Sequence, residues 1–490
     1  MIIYHVPGAA SELQDQGIGH RIGVSLPPGE GNLPEPEQLQ MLREAGVTLI
    51  EVDGTISTDE AALLAEAGFF LFLRQDRSFT THAGIAAGDS LFLARDLDLL
   101  SHMQDAAGSQ LAAFAPFRYP DERNERLTSG IALYADRLIQ ELENPPALYY
   151  LSAFQEDSPP PPPYGFRSVR IVSSPNTSGA LPVIHYSPDS HTAETLLLFR
   201  EILENSLTRE NSILIVDYNW LAALTEEFEP LIQTLQAYTS NSEILFPFPA
   251  LAEDTPILSW PVLFFIAVFG FWLLHYHSNP AYRRSLFRYL TSHKFFIENV
   301  MEKRIRMPFA SLFLFTLHML LTAIFAYLAS DILFSSLGQE ALAGHFPWLR
   351  QIGTEPFGFF FWGLLLACTL QFLSLLWLHI PAFRSLSISQ TQKFYGWPLQ
   401  LNLPVVLLLI VMIQAGGSPA WIWICIVLFP LIWFLSFYFA AFDAVRIHPK
   451  PLLYLSITCG LHLCLTVLLL YLMIGNPAIR EPILLALGLP

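Results

Sequence analysis

Lysine and cysteine are both absent from the first half of the chain. Residues 1–256 contain 13 Arg and 36 Asp or Glu, a formal charge of −23, whereas the whole 490-residue chain carries −17. The lack of cysteine excludes a disulfide framework and a cysteine-based zinc site in this half. So negative a balance also excludes nucleic acid as the partner. The composition is that of an acidic, soluble domain.

The second half lacks charge instead. Residues 257–490 hold 13 Lys or Arg and 7 acidic residues, separated by long apolar stretches. An apolar helix of about 20 residues crosses the ~30 Å hydrocarbon layer of a bilayer. Six runs suit that role: 258–276, 308–329, 357–380, 399–415, 419–442 and 452–474. We therefore expect an all-α, six-helix transmembrane domain over 257–490, joined to the acidic domain over 1–256. The apolar tail 482–490 is too short to cross and is expected at the interface.

The basic residues between these runs are unevenly distributed. The segments after the first, third and fifth runs carry 11 Lys or Arg, whereas the other side has only Arg350 and Arg480. Short loops rich in Lys and Arg stay in the cytoplasm. The sequence thus predicts a multi-pass protein of a bacterial inner membrane, with the N-terminal domain and the C-terminus outside the cytoplasm. The opening residues MIIYHVP do not resemble a signal peptide. We therefore expect an upstream segment, export by the first span, or an exception to the charge rule.

The basic segment 283–307 also carries apolar residues at helical spacing. They are Leu286, Phe287, Leu290, Phe295, Phe296 and Val300. This pattern suits a helix lying on the anionic cytoplasmic leaflet, which makes membrane lipid an expected partner. A plain basic loop explains the same charges equally well.

Two histidines fall inside the apolar runs. His318 and His462 would lie at similar depth, with Gln371 close to that level. Such a pair could hold a b-type haem, bind a metal or relay protons, or each histidine could simply tighten helix packing. No other cofactor or metal site is expected. The runs show no evident helix break at the membrane midplane, a feature typical of transporters.

The acidic half alternates short apolar strands with helix-length segments. The strands are expected at 21–26, 47–52, 69–74, 110–117, 147–152, 168–174, 181–186 and 212–218, with another candidate at 243–248. This alternation is typical of a parallel sheet in an α/β fold, and about eight strands favour a TIM-barrel-like domain, complete or incomplete. The proline run 159–163 is expected to be a stiff loop in place of a crossover helix.

Function in such a barrel belongs at the carboxyl ends of the strands. The carboxylates there, candidates for proton transfer, are Glu51, Asp53, Glu125, Glu156 and Asp217, with Asp76 near them. The candidate ligand-binding residues are Arg118, Tyr119, His185, Tyr186, Tyr218 and Trp220. Acids together with aromatic faces are what a sugar-handling cleft needs.

The stretch IGVSLPP, followed by LPEPEQLQMLREAGVTLIEVDG, resembles the first strand, first helix and second strand of TIM-barrel glycoside hydrolases. The resemblance extends over about residues 20–250. It implies an Asn-Glu acid/base after strand 4, where this chain has Asn124 and Glu125, and a glutamate nucleophile at the end of strand 7. That strand ends in His185, Tyr186 and Ser187 instead. The second half resembles uncharacterised bacterial multipass membrane domains, which implies a location only.

Three functional hypotheses follow. The first is an envelope membrane protein whose exported barrel-like domain binds a glycan or other cell-envelope ligand without hydrolysing it, alone or with envelope protein partners. The second is a membrane-tethered glycoside hydrolase. The third is a transporter or haem-containing membrane protein with an accessory exported domain.

Overall fold

A computed structural model describes most of the chain, in two compact units. The described residues are 21–27, 33–121, 123–152, 166–171, 183–188, 193–207, 213–227, 230–239, 260–302, 308–351, 356–446 and 448–489. The first unit is Met1–Asp254 and the second is Thr255–Gly488.

Eight parallel strands form the sheet of the first unit. They are β1 (Arg21–Ser25), β2 (Val47–Asp53), β3 (Phe70–Arg74), β4 (Leu111–Ala115), β5 (Ala147–Ser152), β6 (Phe166–Ile171), β7 (Val183–Tyr186) and β8 (Ile213–Asp217). They pair in chain order and β8 pairs with β1, which closes the sheet into a barrel. The prediction of a parallel α/β domain is confirmed, while the candidate strand at 243–248 lies outside the described residues.

Seven helices accompany these strands in the described part of the unit. They are α1 (Pro36–Glu44), α2 (Thr58–Glu66), α3 (His82–Ala107), α4 (Glu125–Glu141), α5 (Ala193–Leu207), α6 (Tyr218–Glu227) and α7 (Pro230–Thr239). Local signals set where they begin. A capping box between Ser57 and Glu60 starts α2, and Asn124 caps the first amides of α4.

Strand β2 is buried on both faces, and each face packs against a different part of the unit. On β2, Ile50 and Val52 belong to the core shared with the helices, whereas Leu49 and Glu51 lie on the other face and are equally buried. Successive side chains alternate between the faces of a strand, so this second set fills the barrel interior. Gly23 leaves room there, since a Cβ at that position would lie 2.6 Å from Leu49 Cδ2.

The second unit is helical. Its helices are α8 (Trp260–Ser278), α9 (Pro280–Thr291), α10 (His293–Met301), α11 (Pro308–Leu333), α12 (Ser336–His345), α13 (Pro356–His379), α14 (Ile388–Leu399), α15 (Asn402–Gln414), α16 (Pro419–Val445), α17 (Pro451–Leu455), α18 (Leu461–Gly475) and α19 (Pro477–Gly488). Six segments of the described chain are long and apolar enough to cross a membrane: Trp260–Ser278, Ser311–Leu333, Phe357–Ala382, Ile388–Gln414, Pro419–Val445 and Pro451–Gly475.

The fourth of these segments begins 11 residues earlier than the sequence predicted, at Ile388 and not at 399. A capping box between Ser387 and Gln390 starts the helix, and Phe394, Tyr395 and Trp397 are buried in the core of the unit. Lys393, expected in a basic loop, therefore lies within an apolar helix and is itself buried. The prediction placed the start too late because polar residues within α14 interrupt the apolar run.

The basic segment 283–307 was expected either on a lipid leaflet or in a loop. Its described residues form α9 and α10, and Tyr289, Phe296 and Val300 are buried. The ring of Phe296 packs edge-on against Trp397 of α14. The apolar side of these helices thus contacts the protein's own core, while Phe295 is exposed.

The apolar tail, expected at the interface, forms α19 and packs on α12. Leu485 and Ala486 are fully buried. The approach is close at Gly338, where a Cβ would lie 2.4 Å from the backbone oxygen of Ala486. The tail is thus covered on one side by protein.

Candidate functional site

A cluster of polar side chains occupies the carboxyl end of the barrel interior. Glu51 is fully buried at its centre. Its Oε2 accepts hydrogen bonds from Ser25 Oγ and Arg74 Nη1, both at 2.8 Å. Its Oε1 accepts from Tyr149 Oη at 2.7 Å. His185 Nε2 lies 3.3 Å from the same oxygen, at ion-pair distance but without hydrogen-bond alignment. We call these five residues the Glu51 cluster.

The Glu51 cluster brings together side chains from β1, β2, β3, β5 and β7. Burial alone would raise the pKa of Glu51, but the charges of His185 and Arg74 and the Tyr149 hydrogen bond hold that pKa well below its usual range. Burial and the adjacent carboxylate raise the pKa of Tyr149, whose phenol remains protonated. Glu51 is therefore an ionised carboxylate, which does not suit a general acid. A nucleophile must be ionised too, but Glu51 is fully buried with both oxygens occupied and is not exposed to a substrate.

Asp53 and Asp217 both act in local turns. Asp53 Oδ1 accepts from the Thr55 amide at 3.1 Å, and Asp217 Oδ1 accepts from the Trp220 amide at 3.0 Å at the start of α6. Burial, with a contribution from the charge of Asp76, raises the pKa of Asp53, although Arg74 and Thr55 oppose it. The pocket beside Asp53 has room for about one water molecule, so it does not accommodate a sugar ring.

The predicted aromatic binding residues lie mostly in the layer between barrel and helices. The ring of Tyr186 stacks on Phe199, and Trp220 packs edge-on against both. Tyr186 also donates to the backbone oxygen of Thr195. Tyr218 and Trp220 are buried in the same core. These positions serve packing and do not present aromatic faces to a ligand.

Arg118 and Tyr119 lie together at the mouth of the barrel, just beyond β4. The Tyr119 amide donates to Leu151 O at 2.7 Å, and the Arg118 guanidinium lies 4.9 Å from the centre of the Tyr119 ring. Tyr119 has a φ of 49° and its ring neighbour Phe79 a φ of 60°. Such backbone conformations cost non-glycine residues about 1–3 kcal/mol each. The surrounding backbone hydrogen bonds hold both residues in place.

The remaining predicted carboxylates do not join this cluster within the described chain. Glu125 is exposed at the start of α4, directly after the Asn124 cap. The pair that resembled a catalytic Asn-Glu thus occupies the first turn of a helix. Glu156 and the proline run lie outside the described residues.

Sequence reasoning missed Ser25, Arg74 and Tyr149. The sequence did mark Arg74, since it is the one charged residue at the end of the apolar strand FLFLR.

A second ion pair that sequence reasoning missed anchors the loop after β3. Arg77 donates two hydrogen bonds to the buried carboxylate of Asp96 on α3, and Tyr134 of α4 donates to the same carboxylate. This pair stabilises the helical layer.

A second polar cluster lies among the apolar helices, formed by His318 (α11), Gln371 (α13) and Asn402 (α15). All three are at most 1% exposed. Gln371 Nε2 lies 2.6 Å from His318 Nδ1, and Asn402 Nδ2 lies 2.9 Å from Nε2. A neutral imidazole has one donor and one acceptor nitrogen, so one of the two amides must turn its oxygen toward the ring. We call these residues the His318 triad.

The His318 triad brings together two of the three predicted intramembrane residues. Gln371 contacts His318 as expected, but His462 lies in a different setting, stacked on Phe437 with its Nδ1 3.3 Å from Tyr438 Oη. Because amides occupy both nitrogens of His318, the residues do not fit a haem held between His318 and His462. In the part of the chain that the structure describes, no group of three His, Cys, Asp or Glu could hold a metal ion.

Comparison of the chain with protein families, curated proteins and solved structures finds no significant match. The resemblance to glycoside hydrolases therefore has no support beyond the motifs in the sequence.

Proposed function

We propose that this protein is a multi-pass membrane protein whose N-terminal TIM-barrel-like domain binds a glycan or other envelope ligand at the barrel mouth without hydrolysing it. The observation that carries the proposal is the state of Glu51. Hydrolysis by a barrel of this kind needs two carboxylates that can reach a sugar. The most central one, Glu51, is fully buried with both oxygens held by four neighbours.

Binding and hydrolysis can be separated with the detergent-solubilised full chain. We expect retention on a glycan array or on isolated envelope polysaccharide, with no release of new reducing ends over hours. Sugar release that disappears in Asp53→Asn would refute the non-hydrolytic proposal and favour the hydrolase. Asp53 is chosen for substitution because burial raises its pKa, as a general acid requires. Arg137→Gln, a surface change on α4, is the control.

The proposed orientation places the barrel domain outside the cytoplasm and the basic loops inside. The chain has four lysines, at 294, 303, 393 and 450, all on the predicted cytoplasmic side or buried in a helix. A lysine-specific protease added outside spheroplasts should leave the chain intact, whereas trypsin should cut the arginine-containing barrel domain. Cleavage near Lys294 or Lys303 by the external lysine-specific protease would reverse the orientation.

One observation favours transport of a polar solute as a second candidate function. The segment Ile388–Gln414 is interrupted near its middle, between Leu399 and Asn402. There Leu401 N donates to Pro398 O, and Leu403 N to Gln400 O, in place of α-helical bonds. Asn402 at the break reaches His318. A broken span with buried polar side chains is typical of transporter sites.

Proteoliposomes test the transport candidate. Vesicles that contain the chain should swell in an iso-osmotic sugar solution faster than empty vesicles, and Asn402→Leu should abolish the difference. Equal swelling of protein-containing and empty vesicles would leave the His318 triad with a packing role alone.

A further inference from the structure

Two of the apolar helices, α8 and α15, line a groove between their facing sides. They belong to two of the six membrane-length segments. The lining residues on α8 are Val262, Phe265, Ile266 and Phe269. Those on α15 are Leu407, Ile410, Val411 and Gln414. Both sets follow the spacing of one helix face. The groove has a volume of about 510 Å³, within the range of ligand-binding clefts.

A hydrogen-bonded bridge lies at one end of this groove. Trp272 Nε1, on α8, donates to Tyr282 Oη at 3.1 Å, and Tyr282 Oη donates to Gln400 Oε1 at 3.0 Å. We call these contacts the Tyr282 bridge. It ties α8 to the residues that precede α15, so the groove ends on this side. At the other end the lining finishes with Val262 and Gln414.

The depth of the groove matches one leaflet of a bilayer. Val262 and Trp272 are ten residues apart on α8. At the rise of an α-helix this distance is about 15 Å, half of the ~30 Å hydrocarbon thickness. A membrane-crossing helix of another chain extends through the full thickness, whereas an acyl chain extends through one leaflet. The dimensions therefore favour an acyl chain.

The lining of the groove has the polarity of a lipid site. Phe265 and Ile410 form its floor and are 4% and 5% exposed, whereas Ile266 and Val411 at its rim are 57% and 45% exposed. Because all four lie in membrane-length segments, the groove opens sideways toward hydrocarbon. Gln414 places an amide at the end of α15, at the level where lipid head groups lie.

We infer that the groove between α8 and α15 binds one acyl chain of a membrane phospholipid, which enters at the Gln414 end with its tail toward the Tyr282 bridge. A chain in this position contacts two helices at once. It therefore gains more van der Waals contact than a lipid on the surface of a single helix. The inference rests on the proposed membrane insertion of this unit and is independent of glycan binding by the barrel domain.

Native mass spectrometry of the full chain tests the site, in mild detergent supplemented with palmitoyl-oleoyl phosphatidylglycerol. We expect about one retained phospholipid per chain, because the groove has the volume of a single ligand site. Val411→Trp places an indole in the groove and should lower this occupancy at least about threefold by overpacking it. Val467→Trp is the matched control, since Val467 is 56% exposed on α18, and should leave the occupancy unchanged.

Photolabelling of the unaltered chain keeps the test valid if Val411→Trp does not fold. A phosphatidylglycerol with a diazirine on one acyl chain, in liposomes that contain the protein, should label Phe265 and Ile410 on the groove floor. Labelling that leaves both residues unmodified overturns the inference, as does unaltered lipid occupancy in Val411→Trp. A dimer that Val411→Trp disrupts would assign the groove to a second copy of the chain and would also overturn it.

Failure of the inference can be told apart from failure of the proposed function. If the chain retains envelope polysaccharide but its groove floor is not labelled, the inference fails alone. If the purified chain is monodisperse without detergent, the proposed membrane insertion fails, and the acyl-chain site fails with it.

Discussion

Replacing Arg74 by Met is the sharpest test of the structure inside the barrel. Arg74 and Glu51 are 7% and 0% exposed at their side chains, with a 2.8 Å contact. Removing one partner of a buried ion pair costs about 3–5 kcal/mol because it leaves the other charge uncompensated. Met preserves much of the Arg side-chain volume, so the loss reports on charge more than on packing.

The change in stability can be measured by pulse proteolysis with thermolysin across a urea series, on the full chain in detergent. The control is Arg137→Met, whose partner Asp89 is partly exposed. Surface pairs of that kind are worth about 0.2–1 kcal/mol. A second variant, Arg74→Met with Glu51→Leu, removes both charges and should recover part of the loss, since apolar replacement of a whole buried pair is often neutral. Recovery is incomplete because the hydroxyls of Ser25 and Tyr149 then lose their acceptor.

The reasoning would be refuted if Arg74→Met cost no more than Arg137→Met.

Four further predictions follow from other contacts. Tyr149→Phe removes a hydrogen bond to a carboxylate and should cost about 1.5–3 kcal/mol of barrel stability in the same proteolysis assay. The pKa of Glu51 in the folded chain lies below the ordinary glutamate value of 4.5. Its contribution to stability is therefore present above pH 4.5 and is lost as the pH falls below 4.5 toward the folded pKa. Glu51→Gln should flatten this part of the plot of stability against pH, and an unchanged plot would contradict an ionised Glu51. In the helical unit, Asn402→Leu should cost about 0.6 kcal/mol and at most roughly 1.7, the range of polar contacts between membrane helices, measured by unfolding in mixed micelles. Gly338→Ala should cost about 1–3 kcal/mol because the new Cβ meets the backbone oxygen of Ala486. Helix α19 should then pack less tightly on α12, and proteolysis of α19 should become faster. Gly270→Ala, with no atom within 4 Å of its Cβ, is the neutral control.

Much of the architecture was readable from the sequence because the signals are local. Seven of the eight strands are short stretches of mainly apolar residues, with β6 (FRSVRI) the exception, and all eight were predicted within a few residues of their bounds. The six apolar helices follow from composition alone. The start of the fourth was wrong because Gln390 and Lys393 are polar, although Phe394, Tyr395 and Trp397 bury the same helix. Hydropathy counts residues one at a time and does not register which face of a helix is covered.

The sites were decided by tertiary structure. Glu51 was a candidate by its place at a strand end, but its partners Arg74 and Tyr149 lie 23 and 98 residues further along the chain. Only closure of the barrel brings them into contact and turns a candidate acid into a saturated ion pair. Likewise, Asn402 follows a helix break that no apolar run displays, and it meets His318 because three helices pack side by side. Sequence fixes local periodicity, hydropathy and charge; the pairing of side chains distant in sequence depends on how the strands and helices assemble.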